Sequence, residues 1–150
     1  MIRTEREYRE AVKRLREEEA RLKEHRNRLQ AEGLEPDALK RALDPIKSFH
    51  LQLKEEVQAY ERLKRGELGE VVNLHGLGRM LVALRIAKGM TQTELARLLE
   101  VHESQVSRDE RNEYHGVTVD RASKILEALN VELRSGFEEP VLDSSSATTS

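Results

Sequence analysis

The side chains best equipped for chemistry lie close together between Glu103 and Arg108. Glu103, Ser104, Gln105, Ser107 and Arg108 offer a carboxylate, two hydroxyls, an amide and a guanidinium, interrupted only by apolar Val106. This is a set of hydrogen-bond donors and acceptors with no nucleophile–base pairing among them. If the run is helical, Val106 turns inward and the polar residues face out. A helix fits the major groove of DNA, and residues at its N-terminus reach base edges. The rest of the chain offers little other chemistry. His25, His50, His75, His102 and His115 have no metal-ligand spacing, and there is no cysteine. The carboxylates sit on charged helix faces, and no serine, histidine and acid share a catalytic context. No catalytic or metal-binding residue is assigned, no cofactor is implied, and an enzyme is not expected.

Several short elements must position that run. Leu77 to Lys88 reads as an amphipathic helix with Leu77, Leu81, Leu84 and Ile86 apolar, ended by Gly89 as a left-handed cap. Thr91-Gln92-Thr93-Glu94 is a capping box that starts a second helix running to about Leu99. Leu95 and Leu98 are expected on its core side, and small Ala96 lets the next helix cross close by. Glu100-Val101-His102 makes a turn with Val101 as its plug, and a third helix starts near Glu103 or Ser104. After the loop Asn112 to Gly116, Thr118 can cap a fourth helix. Val119, Ala122, Ile125, Leu126 and Leu129 are its expected buried stripe. Asn130 would cap it in left-handed conformation, and Val131, Leu133 and Phe137 close the core or form an extended tail.

This stretch resembles the Cro and lambda-repressor (XRE) helix-turn-helix family. The resemblance rests on Arg85, Gly89, Thr91-Gln92, Glu94-Leu95-Ala96, Leu99, Val101, Ser104 to Arg108, Glu110 and the later Ile125-Leu126 and Ala128-Leu129. It implies that Gln92 contacts a phosphate and that Glu103, Ser104 and Arg108 read bases. Arg108 suits the paired acceptors of guanine, and Glu103 can accept from the amino group of cytosine. Gln105 and Ser107 would assist, and His102, Arg111, Tyr114 and His115 would touch phosphates. Two departures stand out. The family usually has glycine where this chain has Glu100, and the Asn112–Gly116 loop is longer than usual.

Upstream, residues 3–31 read as one long helix with Tyr8, Leu15, Leu22 and Leu29 at heptad spacing and Val12 beside them. Gly33 should stop it. A second run carries Leu39, Leu43, Ile46, Phe49, Leu53, Val57, Tyr60 and Leu63 at three- and four-residue spacings. Asp44 and Pro45 look like an N-cap and first helical position inside that run. The reading is a short helix near 37–43 and a long one from 45 to about 64. The expected fold is all-α: a helical hairpin over 1–65, a linker over 66–76, a compact four- to five-helix domain over 77–137 and a disordered tail over 138–150. Two narrow seams bury little, so the hairpin is expected to pair with a second copy of itself.

Composition limits the function. Charged residues make up 36% of the chain and aromatics 3%, a balance typical of long helices. No apolar stretch can span a membrane, and the absence of cysteine suits a cytoplasmic protein. From residue 74 onward there are 9 basic and 12 acidic residues, a balance of −3. Such a domain should hold random DNA weakly, since phosphate contacts dominate non-specific affinity. The expected function is therefore a dimeric, sequence-specific repressor on an inverted-repeat operator of double-stranded DNA. Glu7-Tyr8, Tyr60-Glu61 and the domain order also look like HigA-type antitoxins, a resemblance that implies a toxin partner. An adaptor that binds protein through its hairpin and no DNA is the alternative reading.

Overall fold

The computed structural model describes residues 1–138 and shows six helices: α1 (Glu5–Ala31), α2 (Pro36–Lys64), α3 (Leu77–Ala87), α4 (Gln92–Leu98), α5 (Glu103–Arg111) and α6 (Val119–Ala128). The protein is all-α. Among the described residues the only β-type pairing is an isolated bridge between Val72 and His75. The tail beyond 138 lies outside the described residues.

Local sequence explains the helix starts. Thr4 and Glu7 form a capping box on α1, as Thr91 and Glu94 do on α4, and Thr118 accepts the N–H of Arg121 at α6. The helix ends share one device. Each closes with paired backbone bonds around a left-handed residue: Gly33, Gly66, Gly89, Glu100, Glu113 and Asn130. At Glu100, for example, its own N–H reaches Arg97 O at 3.2 Å and the next N–H reaches Ala96 O at 3.0 Å. Glycine adopts this conformation freely, whereas a side chain with Cβ costs roughly 1–2 kcal/mol.

α2 corrects one expectation. Pro45 does not break it, and the helix runs unbroken from Pro36 to Lys64. A mid-helix proline removes one hydrogen bond and costs about 3 kcal/mol. Here Arg41, whose carbonyl loses that partner, and Pro45 itself lie on the exposed side, so water can serve the carbonyl. Just before Pro45, Leu43 is only 1% exposed and anchors this part of the helix. Pro36, at the first helical position, supplies the start that Pro45 suggested.

α1 and α2 lie side by side as a hairpin. Near its open end Tyr8 stacks on Tyr60 with ring centroids 5.1 Å apart. Tyr8 donates to Glu61 Oε1 at 2.8 Å and Tyr60 donates to Glu5 Oε2 at 3.3 Å. This end packs onto the four-helix unit α3–α6. Ile2, Val57 and Tyr60 share one apolar core with Leu81, Val82, Ile86, Leu95, Val106, Tyr114, Ile125 and Leu129. Two residues leave their expected places. Leu98 is 57% and Val119 74% exposed, so Leu99 packs on the core in place of Leu98, and α6 fully buries only Ala122 and Ile125, with Leu129 buried at its C-cap. Leu133 and Phe137 are exposed in an extended segment.

Candidate nucleic-acid interface

α5 owes its position to a buried ionic network. Glu110, at its inner C-terminal end, is 1% exposed, and Arg85 on α3 is 3% exposed. Arg85 grips both carboxylate oxygens, with its Nη2 at 2.7 Å from Oε2. The guanidinium also donates to the Met90 carbonyl at 2.8 Å and to the Arg3 carbonyl at 2.9 Å. Gln92 Nε2 completes the set, donating to Glu110 Oε2 at 2.7 Å. Every donor of a buried guanidinium needs an acceptor, and these contacts supply four of its five. The network fastens α3, α4, α5 and the chain entering α1 to one point. Removing either Arg85 or Glu110 leaves the other charge buried without its partner.

The α4–α5 connection sets the angle between those two helices. Leu95, Ala96 and Val106 are 0–2% exposed at their crossing, and half-buried Val101 plugs the turn. His102 is the N-cap of α5: its Nδ1 accepts the Ser104 N–H at 3.1 Å and lies 2.8 Å from Ser104 Oγ.

The candidate residues divide into two groups. Glu103, Ser104, Arg108 and Arg111 are exposed on α5, and no carboxylate pairs with Arg108 or Arg111 among the described residues. The others are engaged internally. Gln105 donates to Asp109 Oδ1 at 2.8 Å, and Asp109 also takes Arg121 at 2.6 Å. Ser107 is half-buried. Gln92 is 8% exposed, its amide turned inward to Glu110. Tyr114, expected at a phosphate, is instead a core residue at 5% exposure. Burial and neighbouring Glu110 push its phenol well above the usual range. His102 and His115 remain on the surface.

The loop after α5 is fixed by close backbone approach. A Cβ on Gly78 of α3 would stand 1.8 Å from the Glu113 carbonyl oxygen, so α3 can seat against this loop only with glycine there. Arg79 then pairs with Glu113 at 2.9 Å and holds its carboxyl below the usual range.

Residues 81–135, which carry the capped α4, the plugged turn and α5, match the family model described as Helix-turn-helix. The chain carries a helix-turn-helix domain. No curated protein matches the chain, and neither does any solved structure. The domain supports a DNA-binding regulator. The match begins within α3 and takes in all of α4, α5 and α6, so the hairpin lies outside it. No described helix is long and apolar enough to cross a membrane.

The Arg85–Glu110–Gln92 network is the functional feature that sequence reasoning missed. Its signal was present: a charged residue in the apolar phase of each of two amphipathic helices. Arg85 lies between Leu84 and Ile86, and Glu110 lies one turn after Val106. Two opposite charges in core positions of neighbouring helices read as a buried pair.

Proposed function

We propose that the protein is a dimeric, sequence-specific repressor acting in the cytoplasm, with α5 as the recognition helix. Glu103, Ser104 and Arg108 read bases, and Arg111 binds phosphate. Gln92, Gln105 and Ser107 serve this face mainly through positioning, because their side chains are held or partly covered within the fold. The observation that carries the reading is the outward face of α5, where an unpaired guanidinium stands among exposed polar residues on a helix fixed from behind. Arginine on a guanine edge is the commonest specific contact of this kind.

Dimerisation is supported by the hairpin. Its far half exposes Ile46 at 40% and Phe49 at 48%, three residues apart on one face of α2. A second copy on this face would present two recognition helices to an inverted repeat, with half-sites about 34 Å apart or a multiple of it. The antitoxin version, with a toxin as further partner, has weaker support. The Glu-Tyr and Tyr-Glu pairs that suggested it are spent inside the hairpin.

The test is fluorescence anisotropy with duplex DNA from upstream of the gene, comparing the parent with Arg108→Ala. Specific binding should weaken by about 1–3 kcal/mol while binding to a shuffled duplex is unchanged. Equal loss on both duplexes would make Arg108 a phosphate contact and remove it from base reading. The acidic balance of the C-terminal half favours a second reading, an adaptor without DNA binding. Failure of the parent to bind either duplex at low salt would select it.

A further inference from the structure

The open end of the hairpin does more than pack on α3. Arg3, Thr4, Glu5, Tyr60 and Lys64 form one wall of a cleft of about 180 Å³ whose opposite wall includes Thr91, Gln92, Thr93 and Glu103. Glu103 is the first residue of α5. The hairpin end therefore stands directly beside the edge of the recognition helix, at the outer side of the surface that DNA would cover.

The cations of this cleft differ in what they are free to do. Arg85 is committed to Glu110 and to two carbonyls, and Arg3 leans on Glu7 at 3.6 Å. Lys64 is exposed, and no carboxylate pairs with it among the described residues. The helix-turn-helix region commits four of its nine basic residues internally. Arg79, Arg85, Arg121 and Arg134 are all paired with carboxylates, and acidic residues outnumber basic ones from residue 74 onward, 12 to 9. Affinity for a duplex depends chiefly on cations that neutralise phosphate, and an exposed lysine beside α5 would add to the exposed Arg97, Arg108 and Arg111 of the domain.

We propose that Lys64 binds a DNA backbone phosphate at the outer edge of the site read by α5, so that the hairpin is part of the DNA interface. This rests on α5 being the recognition helix. The lysine sits in the last turn of α2, where its stem can lie along the cleft wall while the ammonium reaches out. A phosphate contact of this kind carries no sequence information but fixes how the protein sits on the duplex.

The test uses the full chain with Lys64→Gln, and Lys54→Gln as the control. Lys54 is also exposed, and removing it deletes the same charge roughly 15 Å further back along α2. Affinity is measured by anisotropy across a salt series, on the upstream duplex and on a shuffled one. Lys64→Gln should weaken both by a similar factor and lower the slope of log affinity against log salt by about 0.9, with Lys54→Gln at the parent's values. An unchanged slope for Lys64→Gln, with the parent still binding, would overturn this proposal and leave the recognition helix standing. Tighter binding by Lys64→Gln would also overturn it and would mean that the hairpin end obstructs DNA. A parent that binds neither duplex would overturn both readings together.

Discussion

At the scale of single residues, Glu100 shows how sequence departs from geometry without changing it. The turn between α4 and α5 keeps the left-handed residue that a glycine would normally supply, with φ 56° at Glu100. Its backbone bonds match those at Gly33, Gly66 and Gly89. The expected departure at this site therefore produces strain and no reshaping. Glu100→Gly relieves the Cβ contact, partly offset by the greater freedom of glycine in the unfolded chain. The variant should be more stable by about 1 kcal/mol in chemical denaturation, with DNA affinity unchanged because Glu100 faces solvent away from the base-reading positions. A neutral or destabilising result would mean that the glutamate makes a compensating contact. The sequence made the turn legible because capping chemistry is local: Thr91 with Glu94, Gly89 and Asn130 each act within one turn. It did not reveal that Gln92 turns inward, because that depends on Glu110, eighteen residues away and on another helix.

At the scale of elements, the hairpin is held at its open end by tyrosines whose hydroxyls are all displaced from ordinary behaviour. Burial, reinforced by Glu5, pushes Tyr60 up to about 12. Tyr8 is raised mainly by its bond to Glu61, and Tyr114 mainly by burial beside Glu110. These are the only three tyrosines in the chain. Ultraviolet titration of the folded protein should therefore show every phenol ionising above 10, the value each would have when unfolded. A raised folded-state value means that the neutral form is favoured by folding. The stability tied to Tyr60 is present in full below pH 10 and is lost as pH rises through about 12. The hairpin should thus detach from α3 under alkaline conditions, with Tyr60→Phe, which cannot ionise, resisting that loss. A phenol titrating near 10 in the native protein would contradict the packing of the pair. The heptad spacing made α1 legible, but α2 was misjudged at Pro45. Periodicity reports where apolar residues fall and proline reports a missing N–H, and only the side on which that missing bond lies decides whether a helix survives.

For the whole molecule, the decisive fact is that the hairpin and the helix-turn-helix domain share a core. Ile2, Val57 and Tyr60 are buried with residues of α3, α4, α5 and α6, and Arg85 ties the chain before α1 to α5 through Arg3 and Glu110. Reading the sequence as hairpin, linker and compact domain could not reveal this. A glycine-bounded segment such as 66–76 looks the same whether the elements it joins are separate or packed. The consequence is cooperative unfolding. Val57→Ala should cost about 2 kcal/mol and lower the melting midpoint of the entire chain by roughly 4–8 °C, with loss of helicity and loss of core tyrosine signals superimposed. Two separated transitions, with only the first moved by the substitution, would show that the hairpin folds apart from the DNA-binding domain. The same argument locates where stability runs out. Along α1 no residue is fully buried, and beyond Val57 and Tyr60 only Leu43 is buried in α2. In hydrogen exchange the hairpin's far half should open well before its base. If Ile46 and Phe49 meet a second copy, protection there should rise with protein concentration while protection around Val57 stays constant. Concentration-independent exchange across 43–53 would remove the hairpin as the dimer interface.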